Sequence, residues 1–207
     1  MIGPIITNQV AIGWKTALTK NSELTASNYT VPKTNINPIT IVVPTHNPQT
    51  QQYLIEMAAL LARQTNGQIF PLAVTAVTAQ MDAPILDNSV RRNEQTLIRA
   101  IALIKVLDVK AKPLLRIDNR FAQGISRTAK EQKANSILMG WGIRTSLRAR
   151  LFGKMIDSVV WSSHCPMAVT PLVESPQKIQ RILVPLGNLP AHSLYRVQFA
   201  QVLAETN

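Results

Sequence analysis

The sequence predicts a doubly wound α/β fold around a five-stranded parallel sheet. Short runs of β-branched and aliphatic residues alternate with longer stretches in which apolar residues recur every three or four positions. Strands that alternate with helices connect by right-handed crossovers, which places helices on both faces of a parallel sheet. A ligand crevice is then expected at the carboxyl ends of the strands, where the strand order reverses.

The predicted elements alternate between residues 39 and 171 in the order βαβαβαβαβ. The predicted strands are residues 39–43, 68–77, 109–117, 136–140 and 167–171, and the predicted helices are residues 50–64, 88–107, 121–133 and 147–162. The first strand stops at Pro44, and the third is expected to be irregular at Pro113. One face of the first helix has amphipathic spacing, formed by Leu54, Met57, Ala58 and Leu61.

The opening of this domain recurs near the end of the chain. Residues 39–48 read ITIVVPTHNP and residues 180–190 read QRILVPLGNLP, with Pro44 and Pro185 141 positions apart. The asparagine three residues after each proline keeps this offset, which indicates a tandem duplication. The second copy contains only a first strand and helix, which cannot fold alone. Its apolar residues need cover from the first domain, another chain or further sequence; they are Leu194, Val197, Val202 and Leu203.

Three segments follow from these patterns. Residues 1–38 are an apolar stub and a polar linker, residues 39–173 form the α/β domain, and residues 174–207 hold a linker and the truncated second copy. The apolar stretch 2–14 is too short to span a bilayer, which needs roughly 20 residues. We therefore expect a cytoplasmic domain.

The charge balance favours an anionic neighbour. The net charge is +11 and the pI about 10.3, which suits nucleotide phosphates, an acidic membrane face or nucleic acid, and equally a solvated basic surface. Aromatic residues make up only 5%, and no helix-turn-helix, zinc finger or base-stacking motif is present, so no nucleic-acid partner is expected. The densest basic group could be solvated, bind phosphate or contact an anionic leaflet; it comprises Arg144, Arg148, Arg150 and Lys154.

The segment 136–170 carries the most specific motif. It reads SILMGWGIRTSLRARLFGKMIDSVVWSSHCPMAVT, with a glycine leaving a strand and a second glycine inside the next helix. This resembles the signature of the universal stress protein family: glycine, two residues, glycine, nine residues, glycine and a hydroxyl residue. The resemblance covers residues 39–171 and implies a Rossmann-like fold. It also implies that backbone N–H groups approach the phosphates of bound ATP or another adenine nucleotide.

The phosphate motif departs from the family pattern. Gly140 holds the first glycine position, but the second falls on Ile143, with Gly142 one place earlier. Gly153 holds the third position, and Lys154 stands where the family has a hydroxyl residue. The resemblance therefore leaves nucleotide binding open.

The position after the first strand also departs from the family. Nucleotide-binding members place an aspartate there for adenosine contacts, and this sequence has His46, next to Thr45. Arg144 and Lys154 can hold a phosphate by charge, and an imidazole can form hydrogen bonds. The candidate site for an anionic small ligand therefore comprises Thr45, His46, Gly140, Gly142, Arg144, Gly153 and Lys154.

One branch of the family is the nearest match. The start IGPIIT, the opening VVPTHNPQT, the tandem copy and the lost aspartate resemble the cytosolic tail of bacterial cation:proton antiporters. This resemblance implies that residues 1–14 are the stub of a membrane helix, whereas the alternative is an apolar segment that packs on the domain. It also implies a non-catalytic regulatory domain at the cytosolic face of the inner membrane. The alternative function is a free-standing universal stress protein that binds an adenine nucleotide.

Catalytic and metal sites are not expected. Cys165 lies between His164 and Pro166, but adjacent residues entering a strand point to opposite faces and no orienting acid is evident. The three histidines share no metal-ligand spacing. A single cysteine forms no intramolecular disulfide, which suits a reducing compartment.

A homodimer is expected. The strand at residues 167–171 could form an apolar sheet edge, which favours pairing with another chain. The truncated second copy adds apolar surface that needs cover.

Overall fold

The computed structural model describes residues 38–206, except 47, 79–80, 141–146, 173 and 185–190. Side chains 48–49, 147–153 and 191–195 are likewise outside the description. The predicted N-terminal stub and most of the linker, residues 1–37, lie outside the described residues.

Strands and helices alternate along the described chain. The strands are β1 (Thr40–Pro44), β2 (Gln68–Ala76), β3 (Lys110–Ala111), β4 (Leu114–Asp118), β5 (Ser136–Gly140) and β6 (Met167–Thr170). The helices are α1 (Pro48–Gln64), α2 (Ala83–Val106), α3 (Phe121–Glu131), α4 (Leu147–Ser162) and α5 (Ala191–Thr206), with a single 3₁₀ turn at Pro176–Lys178.

The strands form one parallel sheet in the order β3–β2–β1–β5–β6, and β4 also pairs with β2. Strands β3 and β4 are the two halves of the predicted third strand, separated by Lys112 and Pro113. The Lys112 N–H still donates to the Ile69 carbonyl at 3.0 Å, but proline has no N–H to continue the ladder. The doubly wound five-stranded prediction is therefore confirmed, with the irregularity where the proline stands.

The core has two layers, one on each face of the sheet. Consecutive residues of β1 alternate between them: Ile41 packs with Ile55 of α1, whereas Val42 packs with Ile125 of α3 and Val159 of α4. All five side chains are fully buried. Burial of each such side chain stabilises the fold by about 1.5–3 kcal/mol, so both faces of β1 hold the domain together.

Helix α2 begins five residues before its predicted start. The sequence pattern assigned Pro84 to a loop, but Asp82 precedes the helix and Pro84 lies in its first turn. Proline is well tolerated there because the first-turn N–H groups have no partner within the helix. The early start was missed because proline marks either a loop or a helix start.

The structure describes part of the predicted second copy. Helix α5 packs against α1, burying Val202 and Leu203 in the core, and the Gln64 amide donates to Glu205 Oε2 at 2.8 Å. Cover for Val202 and Leu203 therefore comes from the first domain. The strand expected just before Pro185 is not formed: residues 179–184 lie outside the sheet, and Leu183 is 92% exposed. A lone strand has no backbone partner, so the segment gains nothing from an extended ladder.

The segment that leads to the second copy is also attached to α1. Ser175 donates a hydrogen bond of 2.5 Å to Glu56 Oε2, and Pro176 is buried beside the helix. Helix α1 thus contacts the sheet on one side and the second copy on another.

Candidate ligand crevice

The carboxyl ends of β1 and β5 form the point where the strand order reverses. From β1 the chain continues to β2 on one side, whereas β5 lies on the other side and leads to β6. Ile41 and Val42 of β1 pair with Ser136 and Ile137 of β5, so the two strands run side by side towards the same end. Thr45 and His46 follow β1 and Gly140 ends β5, so these three residues lie at the carboxyl ends of adjacent strands, where the crevice is expected.

Thr45 is committed to the sheet. It is 1% exposed, its N–H donates to the Leu72 carbonyl at 2.8 Å, and its hydroxyl donates to the same oxygen at 3.2 Å. These hydrogen bonds join the end of β1 to β2. Thr45 therefore forms the base of the crevice, and its hydroxyl proton is already donated to the Leu72 carbonyl.

His46 lies at the surface above this floor. Its ring meets Phe121, the first residue of α3, edge to face, with centroids 5.1 Å apart and an interplanar angle of 67°. Partial burial of the imidazole lowers the pKa of His46, because desolvation disfavours the charged form. At neutral pH the ring is therefore uncharged and offers one N–H donor and one nitrogen acceptor.

Gly140 is required by the packing of α1. A Cβ at this position would lie 2.9 Å from Leu54 Cδ1 and 3.0 Å from Thr50 Oγ1. Such distances are too short for ordinary contacts, so a larger residue would force the buried Leu54 side chain and Thr50 to shift. Packing against α1 therefore favours a glycine here, whether or not a phosphate binds nearby.

The remaining predicted site residues are only partly described. Gly142 and Arg144 lie outside the described residues, as does Ile143. Gly153 lies on α4, but its surroundings are not described, and Lys154 is exposed on the same helix. Their part in a phosphate site stays a prediction.

The sequence analysis missed an ion-pair network at the end of β4. Asp118, whose side chain is 3% exposed, accepts from Arg127 at 3.1 Å and from Arg116 at 3.3 Å. Arg116 also binds Glu131 of α3 through both terminal nitrogens, at 2.6 and 2.9 Å. Strand β4 pairs with β2 on the side away from β1, so the network fastens α3 to the sheet edge outside the crevice.

The network controls the ionisation of its carboxylates. Burial alone would raise the pKa of Asp118, but the Asn119 N–H and the two guanidinium groups outweigh it, so this pKa lies below its ordinary value. The hydrogen bond from Arg116 likewise lowers the pKa of Glu131. Both acids are therefore ionised at neutral pH and act as structural anions.

The described residues offer little for nucleophilic or metal chemistry. Burial raises the pKa of the Cys165 thiol to about 11, so the reactive thiolate is scarce at neutral pH. In the described ranges, no group of three or more His, Cys, Asp and Glu side chains converges as metal ligands would. None of the helices in those ranges combines the length and apolarity needed to cross a bilayer.

Comparison with known proteins identifies relatives of this chain. The model of the universal stress protein family matches residues 39–171. The chain is also 50% identical over 169 residues to the Na(+)/H(+) antiporter NhaS5 of Synechocystis sp.. The match covers 81% of this chain but 24% of that protein, so the chain spans about a quarter of its relative.

Solved structures share the fold. A universal stress protein family member from Burkholderia pseudomallei is 22% identical, with a TM-score of 0.53 over 68% of this chain and 100% of that chain. The universal stress protein from Archaeoglobus fulgidus in complex with dAMP is 16% identical, with a TM-score of 0.50 over 65% of this chain and 98% of that chain. With the family model matching well over half of the sequence and the sheet sharing this fold, the chain belongs to the universal stress protein family.

Proposed function

We propose that this chain is a non-catalytic regulatory domain that modulates a membrane cation:proton antiporter. The observation that carries the proposal is the 50% identity to the Synechocystis antiporter over 81% of the chain. Identity at this level over a whole domain favours a shared role beside a transporter. The described chemistry agrees with binding rather than catalysis. In the crevice, the Thr45 hydroxyl donates to the Leu72 carbonyl, and at the other end of the strands, just before β6, burial raises the pKa of the Cys165 thiol to about 11.

Regulation would follow from ligand-dependent packing of this domain against the transporter. A ligand shifts such an equilibrium only by its differential affinity for the two arrangements. His46 supplies a neutral imidazole at the crevice. The sequence motif predicts that Lys154 adds a cation there, and together they would suit an anionic ligand with a hydrogen-bonding ring. Such a domain would act at the cytosolic face of the membrane.

Transport by the full-length antiporter tests the proposal. Sodium-driven proton movement is measured in membrane vesicles across a pH series, with and without the segment equivalent to residues 39–206. We expect deletion to change the pH or sodium dependence while the transporter remains in the membrane. An unchanged profile at equal transporter abundance would contradict the regulatory role. A matched control is Leu183→Ser, which alters an exposed residue and should leave transport unchanged.

A second candidate function is adenine nucleotide binding by a free-standing domain. The related fold of Archaeoglobus fulgidus in complex with dAMP favours it, although two positions of the phosphate motif differ in this sequence. Calorimetry and thermal unfolding with ATP, ADP, AMP and cyclic dinucleotides, with and without magnesium, test it. A ligand at 100 times its dissociation constant stabilises the fold by about 2.7 kcal/mol.

Matched lysine variants locate any nucleotide that binds. Lys154→Ala should weaken binding if the altered motif still holds phosphate, whereas Lys178→Ala, an equally exposed lysine outside the motif, should not. Gly140→Val is a poor probe, because it would disturb the contact with Leu54. Absence of binding to every nucleotide would favour protein contacts with a transporter.

A homodimer through the β6 edge belongs to the same proposal. Strand β6 is the last strand in the described sheet order, with a free backbone edge suited to pairing with a second copy. Light scattering at tens of micromolar should give twice the monomer mass. A monomer mass would contradict the dimer without affecting the regulatory role.

A further inference from the structure

The end of the domain opposite the crevice carries a cluster of exposed cations. Helices α1, α2 and α3 end here and the strands begin here. We name this surface the basic pole; its residues are Arg63, Lys105, Lys110, Lys112, Lys130 and Lys133. The carboxylates described at the same end are Asp108, Glu131 and Glu205, and Glu131 is bound by Arg116. The surface is therefore strongly positive at neutral pH.

Strand register and loop contacts place these cations together. Gln68, the first residue of β2, pairs with Thr40 of β1 on one side and with Lys110 of β3 on the other. The Lys110 ammonium also donates to Asn66 Oδ1, just after α1, at 3.2 Å. The loop after α3 joins them, because the Asn135 N–H donates to the Thr40 carbonyl at 2.9 Å.

Helix dipoles explain only part of this charge. Cations in the last turn of a helix are stabilised by its partial negative charge, which accounts for Arg63, Lys105 and Lys130. Lys110 and Lys112 belong to an edge segment and not to a helix end. Their presence at the same end of the sheet is therefore not explained by helix dipoles.

An apolar side chain stands among the cations. Val106, the last residue of α2, is 85% exposed beside Lys105. Single exposed apolar residues are ordinary on protein surfaces, so Val106 by itself does not identify a membrane contact. If the basic surface lies on a bilayer, this side chain would enter the headgroup region.

The chain also enters the domain at this pole. The Ile39 N–H donates to Thr65 Oγ1 at 3.1 Å, and the Thr40 N–H donates to Asn135 Oδ1 at 2.7 Å. Whatever precedes residue 38 is therefore attached at the basic pole, and the crevice lies at the far end of the strands.

We propose that the basic pole docks onto anionic lipid headgroups; this inference rests on the proposed function in placing the domain beside a membrane. With the domain beside a membrane, the basic pole would face the bilayer and the crevice would face away from it. The basic group at the start of α4, for which leaflet contact is one expectation, belongs to the crevice end and is a separate surface from the basic pole. Its leaflet contact stays a prediction.

Vesicle sedimentation with the whole chain tests the docking surface. The probes are phosphatidylcholine vesicles with and without about 30% phosphatidylglycerol, the anionic component that a polybasic surface recognises. We expect binding to the anionic vesicles that falls as salt rises. The triple variant K105Q/K110Q/K112Q should bind about 100-fold more weakly, since each cation near the surface contributes roughly fivefold.

A matched triple variant provides the control. R92Q/R120Q/K178Q removes the same charge from exposed residues away from the pole, and it should bind within about threefold of the unchanged protein if the pole is the contact. Val106→Ser should also weaken binding. This loss should remain at high salt, because the lost contact is apolar and salt screens only the electrostatic part. Circular dichroism checks that each variant folds.

Several outcomes would overturn the proposal. These are equal loss in the two triple variants, absence of preference for anionic vesicles, or stronger competition by a random RNA than by lipid phosphate. The last outcome would assign the pole to nucleic acid. Vesicle binding needs no transporter, so it can fail while deletion still alters transport, and it can succeed while transport is unaffected.

Discussion

Two segments with nearly the same pattern fold differently in this chain. Residues 39–66 include the central strand β1 and helix α1, whereas in the described part of residues 180–206 the one element formed is helix α5. Val42 is fully buried between two strands, and Leu183, its equivalent 141 positions later, is 92% exposed. The difference shows that an apolar β-branched run becomes a strand only where neighbouring strands form hydrogen bonds with its backbone N–H and C=O groups. A helix forms these backbone hydrogen bonds within itself.

The two helices, by contrast, end alike. The Thr65 hydroxyl donates to the carbonyls of Leu61 and Ala62 at 3.1 and 3.3 Å. The Thr206 hydroxyl donates to the equivalent carbonyls, three and four residues earlier, at 3.4 and 2.5 Å. These bonds lie within a single turn, so each copy forms them without help from the sheet.

The two helices also meet through equivalent positions. Gln64 and Glu205 are 141 residues apart, the offset of the repeat, and their side chains are joined by a hydrogen bond of 2.8 Å. The two helices therefore contact each other near their ends through residues that match at the offset of the repeat.

The largest expected difference between the copies concerns the strands. Val42→Asp buries an unpaired charge between two layers and should cost on the order of 5 kcal/mol, enough to unfold much of the population. Leu183→Asp changes an exposed residue and should alter stability by less than about 0.5 kcal/mol. Urea unfolding followed by circular dichroism measures both. Comparable losses would mean that residues 179–184 are held more firmly than their exposure indicates.

Core leucines give the next largest difference. Leu61→Ala in α1 should lower the free energy of unfolding by about 3 kcal/mol, because it leaves a cavity in the main core. Leu203→Ala makes the same change in α5, where the helix can detach without unfolding the domain, and should cost below about 1 kcal/mol globally. Hydrogen exchange should rise across residues 191–206 in the second variant. Equal global losses would show that α5 is an integral part of the core.

The equivalent threonines Thr65 and Thr206 give a smaller expected difference in stability between the two copies. The Thr65 hydroxyl also accepts from the Ile39 N–H, so Thr65→Val leaves that donor unpaired and should cost about 1–2 kcal/mol. Thr206→Val removes only bonds within its own helix and should cost a few tenths of a kcal/mol. Thermal unfolding of the two variants is the measurement. If both variants have the same melting temperature, the hydrogen bond between Ile39 and Thr65 does not stabilise the fold as expected.

The smallest expected effect is the pH dependence of stability that His46, in the loop after β1, contributes. His46 stands where the second copy has Gly187, and its pKa is lowered in the folded protein. As pH falls below the ordinary value of 6.5, the unfolded chain takes up this proton first, so stability decreases in that window. His46→Gln should flatten the dependence of the urea midpoint between about pH 7 and pH 5. A slope unchanged by the substitution would contradict the assignment.

Most of the fold could be predicted from the sequence. Strand β5 and helix α4 begin and end at the predicted residues, because their apolar patterns stop at glycine or polar residues. The strand of the second copy could not be excluded, because Leu183 sits in the same local pattern as Val42. Its fate depends on neighbouring strands that a local pattern does not contain.

The sequence predicts the position of the crevice but not the contacts of its side chains. Adjacent strand ends put Thr45 and Gly140 in one crevice, as the topology requires. The committed hydroxyl of Thr45 and the contact of Gly140 with Leu54 depend on tertiary packing, which spacing does not encode. Asp118 was missed for the same reason, since its arginine partners come together only when α3 packs on β4.

Helix α1 contacts different parts of the molecule near its two ends. Near its start, Thr50 and Leu54 lie close to Gly140 at the end of β5, and near its far end Gln64 donates a hydrogen bond to Glu205 of α5. A helix of 17 residues is about 25 Å long. One continuous helix therefore spans the distance between the crevice end of the sheet and the contact with α5, so a tilt of α1 would displace both contacts together.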